Sequence, residues 1–170
     1  MGTFPKSETF FWKYDTIGIK PMSENECREN NMENIKQLLE GHSQKYKEMA
    51  LQTNQYIPMP DADGYGKRTG QCGDTVEMFL KISNDAIEQI GFQIEGCLNT
   101  NACANTLAQL VLGKRMDDAW NLSSNHIIEY LETLPPHETH CADLACGAFY
   151  LALKNAQDLK QKPWMKKYRN

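Results

Sequence analysis

No run of apolar residues in this 170-residue chain approaches the roughly 20 that a membrane-spanning helix needs. There is no internal repeat and no low-complexity block, so the length fits one domain with extensions at either end. Excess positive charge is missing too: Lys and Arg number 18 against 22 Asp and Glu, and the net charge of -4 gives no reason to expect a nucleic-acid partner. The opening MGTFPKSETFFWKYD has no apolar h-region and carries acids, so neither a secretory signal nor an organellar presequence is expected. Lys6 stands where a myristoylation signal needs Ser or Thr. These absences together predict a cytoplasmic protein without a membrane partner. The spacings between Cys72, Cys97 and Cys141 are too long for a zinc finger, so the fold must gather these thiols.

What the chain does have is six cysteines, and in a reducing compartment three structural disulfides are not expected of them. Metal or sulfur chemistry gains weight instead. Cys72 sits in Gly70-Gln71-Cys72-Gly73-Asp74, Cys97 follows Gly96, and Cys141 follows His140. A neighbouring glycine lets backbone or a bulky ligand approach the thiol closely, because no Cβ stands in the way. Asp74 and His140 add a carboxylate and an imidazole, and the five groups make a soft-to-borderline donor set of the kind that holds iron or zinc. Five groups around four coordination positions leave one to exchange.

The periodicity places these residues. Residues 1–40 read as a polar N-terminal extension, packed only by Phe10, Phe11, Trp12 and Tyr14, with Cys27 as an incidental free thiol. From Glu33, Ile35, Leu38, Leu39, His42, Tyr46 and Met49 recur at helical steps, weakened at Gly41 and ended by Pro58 and Pro60. Asp61 to Thr69, with two glycines, reads as an exposed loop. Val76, Met78, Leu80 and Ile82 then alternate with polar neighbours, as do Ile90, Phe92 and Ile94 after the turn residues Ser83-Asn84-Asp85. That pattern predicts an antiparallel hairpin with one apolar face, bringing Cys72 and Cys97 together at its open end.

Helices are expected after Cys97 up to Gly113, around Asp117–Trp120 and 125–131, and from Thr139 to Asp158. Residues 41–158 form the predicted domain, and 159–170 a basic tail broken by Pro163. The fold class is α+β: a small antiparallel sheet covered on one face by helices. Cys97 and Cys141 fall at helix N-termini, where unpaired N–H groups and the helix dipole favour the thiolate. Cys103 continues the stripe of Leu107 and Leu110 and is expected to be a packing residue, and Cys146 likewise. His42 reads as a half-buried packing residue; His126 and His137 read as solvent-facing.

In their order and separation these elements resemble the IscU/NifU-type scaffold on which iron–sulfur clusters are assembled. The matching segments are Asp61-Ala62-Asp63-Gly64, Cys72-Gly73-Asp74, Gly96-Cys97, Leu112-Gly113-Lys114 and Leu134-Pro135-Pro136 before His140-Cys141, in register over residues 44–156. The gap between Cys97 and Cys141 lacks the long insertion of the SufU branch. The resemblance implies a cluster site at one exposed tip, with Cys72, Cys97 and Cys141 as ligands and sulfur acceptors. Asp74 would keep the cluster labile, and His140 would be an accessory or alternating ligand. It implies a cysteine desulfurase as sulfur donor, apo iron–sulfur proteins as acceptors, a transient [2Fe–2S] or [4Fe–4S] cluster, and zinc as an occupant of purified protein. It implies a carrier, not an enzyme, and leaves a homodimer open.

The chain departs from the family pattern in three places. Leu98-Asn99-Thr100-Asn101 replaces a run of small residues after Cys97. The LPPVK segment that binds an Hsp70-type chaperone appears as Leu134-Pro135-Pro136-His137-Glu138, which argues against that partner. The N-terminal extension, Cys103 and Cys146 have no counterpart. Two rival readings use the same thiols: a structural or regulatory zinc protein, and a thiol enzyme with Cys141 as nucleophile and His140 as base. Structural zinc sites prefer close ligand pairs and a saturated shell. Adjacent helical residues point about 100° apart, so His140 is not expected to face Cys141.

Overall fold

A computed structural model describes residues 33–37, 39–53, 59–162 and 164. The aromatic cluster, Cys27, Leu38, Pro58, Pro163 and the end of the basic tail lie outside the described residues. The chain divides into two compact units, Met1–Glu40 and Gly41–Asn170. In the first, residues 33–37 are helical.

The single helix expected from Glu33 onward does not form. Gly41 takes φ +81°, a conformation that ends a helix, and a new helix starts from Ser43. The Ser43 hydroxyl accepts the Tyr46 N–H at 3.1 Å and donates to the Leu131 carbonyl at 2.7 Å. This helix, α1 (Gln44–Leu51), is short and has a capped far end. Asn101 donates to the Ala50 carbonyl and Asn105 to those of Met49 and Gln52, satisfying the acceptors that a helix C-terminus leaves over.

The expected loop at 61–69 is instead a strand. The sheet has three antiparallel strands in the order β1 (Gly64–Thr69), β2 (Thr75–Ser83), β3 (Ala86–Glu95). Gly64 and Gly66 are buried and alternate with Tyr65 and Lys67, so the first half of the strand has no side chains on its inner face, and only at Arg68 does one lie against the helix. A Cβ on Gly64 would lie 2.4 Å from the Ala152 carbonyl, and one on Gly66 2.2 Å from that of Ala148. The glycines that suggested a loop are what lets the last helix lie directly on β1.

β2 and β3 form the predicted hairpin. Val76, Met78 and Leu80 are fully buried. Asn84 and Asp85 have φ +50° and +63°, a two-residue turn with both central residues left-handed, a role Asn and Asp tolerate. A register shift at Lys81/Ile82 lets Ile87 and Ile90, three apart, both face inward with Phe92. On the outer face Tyr65 and Phe79 make a ring contact, centroids 5.4 Å apart, beside Glu77.

Four further helices follow: α2 (Leu98–Val111), α3 (Met116–Ala119), α4 (Ser124–Leu131) and, after a 3-10 turn at Pro136–Glu138, α5 (Thr139–Gln161). The long helix α5 covers β1 and β2, while α2 packs on α1, α4, α5 and β3. Phe92, Leu107, Ile127, Phe149 and Leu153 fill the core between sheet and helices. The α+β class with helices on one face of a small antiparallel sheet is the architecture observed. Among the described residues, no helix is long and apolar enough to cross a membrane.

Candidate functional site

The site begins in the turn between β1 and β2. Gly70 N–H donates to the Asp74 carbonyl at 2.8 Å, Gly73 N–H to that of Gly70 at 3.1 Å, and Gly73 takes φ +90°. This turn exposes Cys72 and aims the Asp74 side chain across the end of the sheet. There β3 has just ended, and Cys97 is the N-cap of α2. Asp74 Oδ2 accepts the Cys97 N–H at 3.0 Å and the Thr100 hydroxyl at 2.6 Å. The carboxylate thus serves as a cap for α2, taking a donor the helix start leaves unpaired. Gly96 makes this geometry available: a Cβ there would stand 2.6 Å from Asp74 Oδ2. Burial raises the Asp74 pKa, but the bonds from Cys97 N–H and the Thr100 hydroxyl outweigh it and hold the carboxyl below its usual range.

The third thiol arrives on the first turn of α5. Cys141 Sγ lies 3.9 Å from Cys97 Sγ, and Thr100 Oγ1 is 3.5 Å from the latter. The hydrogen bond from Cys141 pulls the Cys97 thiol down to about 6 against the cost of burial, so Cys97 is the thiolate of the pair. The same bond, with burial, pushes Cys141 up and makes it the proton donor. His140 Nε2 is 3.6 Å and Glu138 Oε2 3.5 Å from Cys141 Sγ, so both compete with Cys97 for its one hydrogen.

The expectation that His140 would point away from Cys141 is therefore wrong. Helical spacing describes Cβ directions, whereas the imidazole reaches well beyond its Cβ. Its Nδ1 bonds the His137 carbonyl at 3.1 Å. A carbonyl only accepts, so Nδ1 carries a hydrogen, and in the neutral ring the lone pair is on Nε2.

Two sets of donor atoms lie within 4.8 Å of one another: Asp74, Cys97 and Cys141, and Glu138, His140 and Cys141. Of the residues singled out in the sequence, Cys97, Cys141, Asp74 and His140 all fall in one trio or the other. Cys72 falls in neither. It opens on a groove of about 550 Å³ shared with Arg68, Gln71, His140, Asp143 and Leu144.

Sequence reasoning missed Thr100 and Glu138. Each sits three residues from a thiol on a helical turn, Thr100 after Cys97 and Glu138 before Cys141, and that spacing was the available signal. Cys103 and Cys146 are buried, and burial pushes the Cys146 thiol up to about 12 and the Cys103 thiol higher still. His42 stacks on Tyr46, centroids 3.9 Å apart, while His126 and His137 are exposed.

Thiolate, carboxylate and imidazole donors in a partly open cup suit a transition-metal ion of borderline softness, iron or zinc. Cys72 and Cys97 are exposed and Cys141 is buried, so metal held here would be fixed from beneath and reachable from above.

Comparison with known proteins adds identity to this geometry. A protein named iron–sulfur cluster assembly protein IscU from Plasmodium falciparum is 37% identical over 87 residues, 51% of this chain and 53% of that protein. A protein named iron–sulfur cluster assembly scaffold protein IscU from Aquifex aeolicus is 34% identical over 100 residues, 57% and 64% of the two chains. The chain therefore spans between half and two thirds of these relatives' length. A crystal structure described as a nitrogen-fixing NifU-like protein (N-terminal) from Brucella abortus superposes with a TM-score of 0.56 at 18% identity. It covers 68% of this chain and 94% of that one, a likeness of fold. The model of the family described as NifU-like N terminal domain matches residues 59–162, which include every donor discussed above, and the chain belongs to that family.

Proposed function

We propose that this protein is a scaffold on which an iron–sulfur cluster is built from iron and desulfurase-derived sulfur, then passed to apoproteins. The observation that carries the reading is the meeting of Asp74, Cys97 and Cys141 within 4.8 Å at the end of the sheet, with Cys72 exposed in the turn that carries Asp74. Cys72, Cys97 and Cys141 are the cluster ligands, Asp74 is the oxygen ligand that keeps it labile, and His140 exchanges with one of them. The domain that does this is 41–158, with 1–40 and 159–170 as appendages. Five thiols free among the described residues agree with a reducing, cytoplasmic setting.

The chemistry needs a nucleophile and an exit. A thiolate, Cys97 being the readiest, attacks the terminal sulfur of the desulfurase persulfide. The S–S bond to the desulfurase breaks, its cysteine leaves as thiolate, and the persulfide now rests on the scaffold. That sulfur is formally S(0), so two electrons from a reductant yield the sulfide that bridges the iron ions. No substrate bond is turned over catalytically, so the protein is a carrier and not an enzyme. Zinc occupies the same donors in the absence of iron.

Anaerobic reconstitution with iron, cysteine and a desulfurase, followed by Mössbauer spectroscopy, tests the reading. Wild-type protein is expected to form a cluster, and Cys72→Ser, Cys97→Ser and Cys141→Ser to lose it while keeping their fold. A wild-type chain that forms none, or a serine variant with undiminished yield, would overturn the scaffold or that ligand respectively.

A further inference from the structure

Glu138 stands apart from the five groups of the scaffold reading, yet it is in contact with two of them. Its Oε2 lies 3.5 Å from Cys141 Sγ and 3.7 Å from His140 Nε2. The geometry points to a second divalent-metal site in which Glu138, His140 and Cys141 hold one Fe(II), beside an ion held by Asp74, Cys97 and Cys141. The Cys141 sulfur bridges the two. This deepens the scaffold reading by giving iron a place to bind before sulfur arrives, but as a metal site it stands without that reading.

Three observations support it. First, the His140 Nδ1 hydrogen is taken up by the His137 carbonyl, which fixes the ring with Nε2 3.7 Å from Glu138 Oε2 and 3.6 Å from Cys141 Sγ. A backbone partner on the far ring nitrogen is how metal-bound histidines are oriented, and in the neutral ring it leaves the Nε2 lone pair for a metal. Second, the two trios share only the Cys141 sulfur. Third, Asp74, Cys97, Cys141 and Glu138 supply four negative charges when metal-bound, which matches two dications. Among the described residues, no lysine or arginine pairs with Glu138; the groups beside its carboxylate are the His137 and His140 rings and the Cys141 thiol. An oxygen, a nitrogen and a sulfur donor together fit Fe(II) among the borderline ions.

Anaerobic titration of the full-length metal-free chain with Co(II) tests this directly, because thiolate-bound Co(II) gives charge-transfer and ligand-field absorption that reports its donors. Wild-type protein is expected to bind two equivalents. Glu138→Gln, which keeps shape and removes charge, should bind one, with the affinity for the second lowered at least about tenfold. Glu138→Lys should do the same by placing a tethered cation in the site. Asp74→Ala should weaken the other equivalent and spare the Glu138-dependent one. Circular dichroism melts establish that each variant is folded. Two equivalents of unchanged affinity in both Glu138 variants would overturn the proposal. So would a single wild-type equivalent, whether it ignores Glu138 or depends on Glu138 and Asp74 alike. Cluster assembly is not read in this experiment, so its failure and the failure of the scaffold reading are told apart.

Discussion

Gly96→Ala isolates the contact on which the site depends. The new Cβ would stand 2.6 Å from Asp74 Oδ2 and 2.7 Å from its Cγ. To reach ordinary contact the carboxylate must retreat by roughly 0.8 Å, which stretches the 3.0 Å bond from Cys97 N–H out of hydrogen-bond range. The 2.6 Å bond from Thr100 is strained by the same movement. Each is a hydrogen bond to a charged group; discounted for partial exposure, losing them should cost about 1–2 kcal/mol in total. Urea unfolding of Gly96→Ala, Asp74→Ala and the double variant closes a cycle. With the carboxylate already gone, Gly96→Ala has no hydrogen bonds to break and only the 2.9 Å clash with the residue 74 Cβ to relieve by a backbone shift, so it should cost less in the Asp74→Ala background than in the wild type. A coupling energy of about 1 kcal/mol or more is expected. Additivity within about 0.5 kcal/mol would refute the argument that Gly96 is there to admit the carboxylate.

An oxygen ligand binds iron less covalently than a thiolate, so Asp74→Ala should slow cluster transfer to an apo-acceptor and prolong the bound cluster's life, both read by absorbance. Cys103→Ala with Cys146→Ala should leave cluster content and the Mössbauer signature unchanged and cost on the order of 1 kcal/mol per thiol in urea unfolding. Glu77 is held below the usual carboxylate range first by the Lys67 ammonium and then by the Tyr65 hydroxyl, at 2.7 and 2.8 Å. A depressed carboxylate stabilises above its unfolded pKa, so Glu77→Gln should destabilise by about 0.5 kcal/mol at pH 7. That difference should vanish in urea melts as pH falls below about 4. A peptide spanning Leu134 to His140 should bind an Hsp70-type chaperone far more weakly than one carrying LPPVK, measured by fluorescence anisotropy, because Glu138 reverses the lysine charge.

The hairpin was legible because Val76, Met78 and Leu80 repeat at the strand period and their burial follows it. Cys97 is legible because the period changes from two to helical beside it, and Cys141 because a helical pattern starts there after Leu134-Pro135-Pro136. β1 was not, since a strand is recognised by its buried side chains and Gly64 and Gly66 have none. Gly41 was counted as a weak point inside a helix, but a glycine followed by Ser43 and a helical pattern is also a stop and a fresh cap. Glu138 was read only as a reversed charge in a peptide motif. Its contact with Cys141 depends on the 3-10 turn that links Pro135 to α5, and residue spacing alone does not specify how such a turn aims a side chain.

The three thiols differ in what holds them, and the difference suits a site that must both fix a cluster and surrender it. Cys141 is buried in the first turn of a 23-residue helix laid on two strands, and Cys97 caps the helix packed against it. Moving either sulfur means shifting a helix in a packed core, which is costly. Cys72 instead hangs from a turn whose Gly73 is left-handed with nothing within 4 Å of its Cβ position, and it is exposed. Local opening of such a turn disturbs few buried contacts. Asp74 follows Cys72 by two residues in this same turn, so the labile oxygen donor and the most easily displaced sulfur share it. On the scaffold reading, release therefore begins at the β1–β2 turn, with Cys72 and Asp74 leaving first and the Cys97–Cys141 pair last. A cluster is then handed over from its exposed side while its buried side stays anchored.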